Sequence, residues 1–196
     1  IFKNPHPGLL GRTSSATDAL EWTKNVQPIT MIGDANWSTI ATTVEVLLPE
    51  MFAEAEGVHS AAYVGICHRV TGGGGQISNT AAQALCLTIF ANGSWVLGSG
   101  TWNGAQEISP LATGTIPGIL SNPFGIAPIA WHRLGLSEHS PGRVRATLDG
   151  KPVVDLFVNA SSACGATAVC SGRGRVALVS GFNTAYFDNI TIDTLA

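Results

Sequence analysis

Residues 32–48 read IGDANWSTIATTVEVLL, a short polar turn that opens directly into the clearest strand of the sequence. From residue 40 onward the side chains alternate between two faces, as is typical of a strand with one buried side. The turn before this strand carries two short oxygen-bearing side chains, Asp34 and Asn36. One face of the predicted strand carries Ile40, Thr42, Val44, Val46 and Leu48.

A further strand is predicted near the end of the chain, where residues 186–192 read YFDNITI. We expect it to pair with the early strand, because joining an early strand to the last one closes a β-sandwich. Such pairing would bring Asp34, Asn36 and Asp188 close together. Calcium takes about 6–8 oxygen ligands, which these side chains, turn carbonyls and water could supply. The alternative is that Asp34 and Asn36 only cap a turn.

The composition favours one all-β domain. The 196 residues are 45% hydrophobic and 12% charged, which suffices for a full core. Twenty-three glycines and ten prolines separate about ten to twelve short predicted strands. The sequence therefore predicts a two-sheet β-sandwich or jelly roll over residues 20–196, after an irregular lead-in or linker over residues 1–19. The Gly- and Pro-rich segment 98–130 is expected to be a long loop.

Several function classes are disfavoured. The formal charge of −3 gives no basic surface for nucleic acid, and no apolar run approaches the roughly 20 residues that span a bilayer. The sequence has no Gly-x-Ser-x-Gly or His-Glu-x-x-His motif, and its five histidines are scattered. A glycosidase needs two facing carboxylates, whereas Asp34 and Asp188 have neighbouring asparagines that suit a cation better. We therefore expect a non-catalytic chain.

The cysteines and glycosylation motifs indicate an oxidising compartment. Cys67 and Cys86 lie on neighbouring predicted strands that could pair, and Cys164 and Cys170 flank a short loop, so two disulfides are expected. Four Asn-x-Ser/Thr sequons are present, of which Asn92 and Asn159 are the predicted glycosylation sites. A secreted, extracellular or lysosomal protein is therefore predicted. The missing initiator methionine and signal region suggest a mature or excised piece.

Four side chains are candidates for contacting a glycan. Aromatic rings stack on sugar faces, and a guanidinium binds hydroxyl groups. Tyr63 and Arg69 are predicted to lie on the same open face of the strand 61–70. The alternative for each candidate is a packing or interface residue. The candidates are Tyr63, Arg69, Trp95 and Trp102.

Four segments in the same order resemble the C-terminal lectin-like domain of the galactocerebrosidase family. The resemblance covers about residues 20–194, and the less specific stretch VQPIT at residues 26–30 also agrees with it. The segments are IGDANWS (32–38), GICHRV (65–70), IFANGSW (89–95) and AYFDNI (185–190).

The resemblance implies a concanavalin-A-like β-sandwich that packs on a catalytic TIM barrel and binds a structural calcium ion. Asp34, Asn36 and Asp188 match the family's ligand positions, with a backbone carbonyl near Gly75 or Gln76 as a fourth. If Asn36 binds calcium, its sequon is not glycosylated. The family's two catalytic glutamates lie in the barrel, which is not part of this sequence, so the resemblance implies an accessory domain.

Two hypotheses of function follow. The first is a carbohydrate-binding, lectin-like domain of a galactocerebrosidase-like glycoside hydrolase, whose partners are a glycan or glycolipid and a catalytic TIM-barrel chain or domain. The second is a secreted structural or adhesion glycoprotein that uses the same sandwich for assembly, with the segment 98–130 and the N-terminal arm as contact surfaces.

Overall fold

A computed structural model describes residues 20–22, 29–47, 63–71, 82–102, 109–116, 131–140, 142–158, 172–181 and 185–195. The regular elements of this part of the chain are all strands, and it contains no helix that could span a membrane. The strands are β1 (Leu20–Trp22), β2 (Ile29–Ile32), β3 (Ile40–Leu47), β4 (Tyr63–Thr71), β5 (Ala82–Phe90), β6 (Ser94–Trp102), β7 (Ser109–Thr115), β8 (Trp131–Ser140), β9 (Arg143–Leu148), β10 (Lys151–Phe157), β11 (Arg175–Gly181) and β12 (Ala185–Thr194).

The strands form two antiparallel sheets of six strands each. Sheet A has the order β1-β12-β3-β8-β9-β10, and sheet B has the order β2-β11-β4-β5-β6-β7. The predicted all-β sandwich is therefore confirmed. The expected pairing of the early strand with the last one is also present, since β3 lies beside β12 with Val46 opposite Phe187. Residues 1–19 lie outside the described part of the chain.

The main core lies between the two sheets. On β3 the alternation is as predicted, with Ile40, Thr42, Val44 and Val46 buried, whereas Leu48 lies outside the described residues. Facing aliphatic side chains of both sheets complete this layer, and burying each contributes about 1.5–3 kcal/mol. They include Val64, Ile66, Leu85, Leu87, Leu134, Leu136, Val144 and Leu178.

A second buried cluster lies on the other face of sheet B. It contains the disulfide between Cys67 and Cys86, which stand directly opposite each other on β4 and β5 with Cα atoms 4.0 Å apart. This predicted bridge is confirmed, and a loop of this size contributes roughly 3 kcal/mol. The predicted bridge between Cys164 and Cys170 lies outside the described residues. The other fully buried members of the cluster are Tyr63, Val70, Ala84, Ala177 and Val179.

The described residues of segment 98–130 form strands where the sequence predicted a loop. Its first residues continue β6, and Ser109–Thr115 form β7, the edge strand of sheet B. Pro110 and the small, half-exposed side chains of β7 give it little hydrophobic periodicity. An edge strand tolerates proline because one of its sides is not paired. Contacts with β6, such as Trp95 opposite Gly114, therefore determine the position of β7, and no local sequence pattern predicts it.

Candidate glycan-binding face

Two of the aromatic residues predicted to contact a glycan lie in the interior. Tyr63 is fully buried, with its ring centroid 5.9 Å from that of Phe90. Trp95 is only 6% exposed, and its Nε1 donates a hydrogen bond of 3.1 Å to the carbonyl of Thr115. A Cβ atom at Gly114 would lie 2.7 Å from the indole, so β7 packs directly on that ring. The prediction is corrected for both residues, since neither ring presents a face to a sugar.

Arg69 is also directed away from solvent. It was predicted to share the outer face of β4 with Tyr63, but the pairing with β5 is irregular between His68 and Thr71, and Arg69 has a φ of 55°. Its side chain turns into the sandwich, where Nε donates to Glu138 Oε2 over 2.7 Å and Nη2 binds the same oxygen. The guanidinium belongs to a buried ion pair, which corrects its predicted role. Trp102 is the last residue of β6, and its glycan contact stays a prediction.

The ion pair belongs to a polar cluster that joins the two sheets. His68 is fully buried, with Nε2 2.9 Å from Thr42 Oγ1 and Nδ1 3.4 Å from Glu138 Oε1. Burial lowers the pKa of His68, and the hydrogen bond and charge of Glu138 only partly oppose this effect. Burial raises the pKa of Glu138, but hydrogen bonds from His68 and Arg69 and the charge of Arg69 outweigh it, so the net change is downward. The cluster therefore keeps a charged carboxylate beside a neutral imidazole.

The predicted calcium turn connects the two sheets. Asp34 Oδ1 accepts a hydrogen bond from the backbone N–H of Asn36 over 2.8 Å, and the carbonyl of Asp34 accepts one from Trp37. The carbonyl of Trp37 in turn accepts a hydrogen bond from Gly174, just before β11. Asp34 and Asn36 are both exposed. This geometry is that of an Asx turn with side-chain oxygens at the surface.

The third predicted ligand, Asp188, lies on β12, which pairs with β3. Asp188 is opposite Glu45 in the pairing of β12 with β3, whereas Thr194 is opposite Ile40, the first residue of β3. Five residues at about 3.3 Å each place Asp188 roughly 16 Å along the sheet from the start of β3. Among the described residues no three His, Cys, Asp or Glu side chains are grouped to hold a metal. Calcium binding by Asp34, Asn36 and Asp188 stays a prediction, because Asn36 is not among the residue types of that grouping.

Asp188 instead shapes a local irregularity of β12. Its Oδ1 accepts a hydrogen bond of 2.7 Å from the backbone N–H of Asn189, which has a φ of 49°. Asn189 Nδ2 donates to Glu45 Oε2 over 2.7 Å, and the register shifts between Asp188 and Thr191. Pairing of β3 with β12 was predictable, but this register shift was not.

Asn92 lies in an exposed hairpin turn, as predicted. It is followed by Gly93, whose φ is 83° and whose N–H donates to the carbonyl of Phe90 over 2.9 Å. The hydroxyl of Ser94, the third sequon residue, donates to Asn92 Oδ1 over 2.6 Å. Glycosylation of Asn92 stays a prediction, and Asn159 lies outside the described residues.

The outer face of sheet A presents the large exposed aromatic residues of the described chain. They lie at opposite ends of the same part of the sheet: Trp131 begins β8 and is 45% exposed, and Phe157 ends β10 and is 69% exposed. β8, β9 and β10 are consecutive in the sheet. Neither aromatic residue was among the sequence candidates.

Phe157 is surrounded by charged groups on the β9–β10 hairpin. The guanidinium carbon of Arg143 lies 6.0 Å from the Phe157 ring centroid. Arg143 binds Asp155 through two hydrogen bonds, Nε to Oδ1 over 2.9 Å and Nη2 to Oδ2 over 3.0 Å. Arg145 binds Oδ2 of the same carboxylate through Nη2 over 2.9 Å. We call these four residues the Phe157 patch.

The patch is exposed to solvent and consists largely of charged side chains. The side chains of Arg143, Arg145 and Asp155 are 43%, 44% and 36% exposed. Hydrogen bonds from Arg143 and Arg145 hold the pKa of Asp155 well below its usual range, and the same pairing raises the pKa of Arg143. An open aromatic ring beside fixed planar polar groups can stack on a sugar and bind its substituents.

Part of this patch was readable in the sequence. Asp149-Gly150 predicts a turn between two strands, and Arg143, Arg145, Asp155 and Phe157 stand at alternate positions of those strands. A regular two-residue hairpin would place Arg145 opposite Val154. The structure contains a bulge between Pro152 and Val154, which moves Asp155 opposite Arg145. A one-residue bulge has no simple sequence signature, so the side-chain pairing was not predicted.

The fold is a two-sheet antiparallel β-sandwich with exposed aromatic residues on the outer face of sheet A. The sequence matches the family model described as "Galactocerebrosidase, C-terminal lectin domain" over residues 15–195. The chain therefore belongs to the galactocerebrosidase C-terminal lectin-domain family, as the resemblance implied. None of the curated proteins compared with the chain matches it significantly.

Solved structures share the architecture at low sequence identity. The carbohydrate-binding module CBM66 from Bacillus subtilis has a TM-score of 0.60 at 14% identity, covering 88% of this chain and 85% of that one. A Bacillus subtilis protein of unknown function with a galectin-like fold has a TM-score of 0.64 at 13% identity, with coverages of 94% and 86%. A putative glycosyl hydrolase from Parabacteroides distasonis has a TM-score of 0.52 at 11% identity, with coverages of 91% and 81%. These similarities concern the fold alone.

Proposed function

We propose that the chain is a non-catalytic carbohydrate-binding domain, an accessory to a galactocerebrosidase-like glycoside hydrolase in a secreted or lysosomal setting. Its ligand is a glycan or glycolipid, and its partner is a catalytic TIM-barrel chain or domain. Family membership over residues 15–195 and the sandwich fold support this proposal.

The observation that carries glycan binding is the Phe157 patch. Phe157 is 69% exposed on the outer face of sheet A, although burial of a phenylalanine side chain is ordinarily favourable by about 1.5–3 kcal/mol. Beside it stand two guanidinium groups whose orientation is set by the carboxylate of Asp155. Prearranged polar groups lose less conformational entropy when a ligand binds.

A glycan array followed by calorimetric titration of the best ligand tests this function. We expect the 196-residue chain to bind a glycan and the Phe157→Ala variant to lose most of that affinity. Trp131→Ala is the matched control, since it removes the exposed ring at the other end of β8–β10 and should leave binding intact. Retained affinity in Phe157→Ala would place the binding site elsewhere.

The accessory role has a separate test. The isolated chain should not turn over a galactoside substrate, whereas it should associate with a catalytic chain supplied in trans. Turnover by the isolated chain would overturn the non-catalytic proposal. Self-association of the chain without any glycan binding would favour the structural or adhesion glycoprotein instead.

Calcium binding is proposed at the turn of Asp34 and Asn36, on the family resemblance and their exposed oxygens. Asp188 is left out of this proposal because it lies opposite Glu45, five residues beyond the start of β3. Saturation at 100 times Kd would stabilise the domain by about 2.7 kcal/mol. We expect Asp34→Ala to abolish the calcium-dependent rise in Tm and Asp188→Ala to retain it. If Asp188→Ala abolished the rise in Tm and Asp34→Ala retained it, Asp188 would be a calcium ligand and the turn would not be the calcium site.

A further inference from the structure

The Phe157 patch has an imbalance of charge and of hydrogen-bond capacity. Two guanidinium groups share one carboxylate, which leaves one net positive charge on a chain whose formal charge is −3. Both oxygens of Asp155 accept hydrogen bonds from these groups, and Oδ2 is shared by Arg143 and Arg145. The carboxylate is therefore a poor acceptor for a further ligand.

Several N–H donors of Arg143 and Arg145 are not used by Asp155. An arginine has five N–H donors. The hydrogen bonds that join Arg143 and Arg145 to Asp155 use only Nε and Nη2 of each guanidinium. Both Nη1 groups are uncommitted with respect to the described residues. Each guanidinium is also over two-fifths exposed, so a ligand can reach it.

This imbalance discriminates between kinds of sugar. A neutral hydroxyl both donates and accepts hydrogen bonds, so it gains least where acceptors are occupied. A carboxylate or sulfate only accepts, and its charge strengthens each hydrogen bond from a guanidinium. The 6.0 Å between the Arg143 guanidinium carbon and the Phe157 centroid places the donor and the ring within reach of one sugar unit.

We propose that the Phe157 patch binds an anionic sugar, a pyranose that carries a carboxylate or a sulfate. The sugar ring stacks on Phe157, and its anionic group accepts hydrogen bonds from Arg143 and Arg145. This proposal rests on the proposed glycan-binding function and names the class of sugar that the domain takes.

The test uses galactose, galacturonate and galactose 6-sulfate, titrated into the 196-residue protein by calorimetry. We expect at least one anionic sugar to bind about tenfold more tightly than galactose, since charge-assisted hydrogen bonds are roughly twice as strong as neutral ones. The difference should shrink as salt is raised, because exposed charges are screened. The two anionic sugars distinguish a carboxylate from a sulfate.

Two variants with the same change of charge distinguish specific binding at the Phe157 patch from non-specific electrostatic attraction. Arg143→Ala should remove the preference for the anionic sugar, and Lys151→Ala, an equal charge change on the same hairpin, should preserve it. A thermal melt of each variant establishes that it is folded. Phe157→Ala should weaken binding of both kinds of sugar.

The possible failures are distinct. Galactose binding as tightly as its anionic relatives would overturn this inference and leave the proposed function standing. Equal effects of Arg143→Ala and Lys151→Ala would overturn it as non-specific electrostatics. Failure of these sugars and of every glycan on the array would overturn both proposals.

Discussion

Two arginine–carboxylate clusters occupy opposite environments in this sandwich. Arg69 and Glu138 meet between the sheets, where both are nearly inaccessible to water, whereas Arg143 and Asp155 meet on the outer face of sheet A. Each cluster has a third member, His68 in the interior and Arg145 at the surface. The chemistry of the pairs is the same, and only their solvent exposure differs.

Burial changes what an ion pair does. Removing charges from water is costly, so a buried pair is tolerated only when its members satisfy one another, and losing one partner is strongly destabilising. Water and salt screen an exposed pair, which contributes little to stability. The buried cluster therefore joins the sheets, and the exposed cluster is available for a ligand.

The largest effect is expected from breaking the buried cluster. Glu138→Ala leaves Arg69 charged and without its partner in the interior, which should lower the free energy of unfolding by roughly 3–5 kcal/mol. Urea unfolding followed by intrinsic fluorescence measures this change. Asp155→Ala is the exposed counterpart, and an equal loss in both variants would contradict the comparison.

A smaller effect is expected at the neighbouring hydroxyl. We assign the proton of neutral His68 to Nδ1, because this nitrogen faces the Glu138 carboxylate at 3.4 Å and a carboxylate only accepts. On this assignment Nε2 accepts the hydrogen bond from Thr42. Thr42→Val keeps the shape but leaves Nε2 buried without a donor, at a cost of about 1–3 kcal/mol. Thr43→Val is the matched control, because the Thr43 hydroxyl is hydrogen-bonded to Thr191 on the opposite, partly exposed face of the same strand, where water can replace the lost partner. Equal unfolding midpoints for the two variants would contradict this assignment.

The free energy of unfolding should fall gradually as the pH is lowered. The folded-state pKa of His68 lies below its ordinary value of about 6.5, so the unfolded chain takes up the proton first, and stability falls below that pH. The lowered pKa of Glu138 acts in the same direction, because its contribution is present above about pH 4.3 and lost as pH falls through the folded pKa. One proton changes stability by at most about 1.4 kcal/mol per pH unit.

Denaturant midpoints measured between about pH 7 and 4 test this dependence. His68→Gln should flatten the profile near pH 6, since it removes the group that titrates first. An unchanged slope in that variant would show that other groups account for the acid sensitivity.

The smallest effect is expected at the surface. Asp155→Asn and Arg143→Gln, alone and combined, should leave the Tm close to that of the parent, because water replaces the lost hydrogen bonds. Raising the salt concentration should also change the Tm of the parent protein only slightly. A loss of stability comparable to that of Glu138→Ala would mean that the Phe157 patch is structural.

Local sequence was sufficient for much of the fold. Alternation over residues 40–47 predicted the inward face of β3, and Asn92-Gly93 and Asp149-Gly150 predicted two hairpin turns that the structure contains. Cys67 and Cys86 were expected on neighbouring strands and are bonded. Such features depend on side-chain period and turn chemistry, which act over a few residues.

Only the tertiary structure decided which polar and aromatic residues reach the surface. Arg69 leaves its predicted face because a bulge and a positive φ turn it toward Glu138, and the register of β12 places Asp188 opposite Glu45, five residues beyond the start of β3. A one-residue shift in pairing sends a side chain to the opposite face. That shift depends on partners distant in sequence, so residues 32–48 determined that an early strand meets the last one but not what lies beside Asp34.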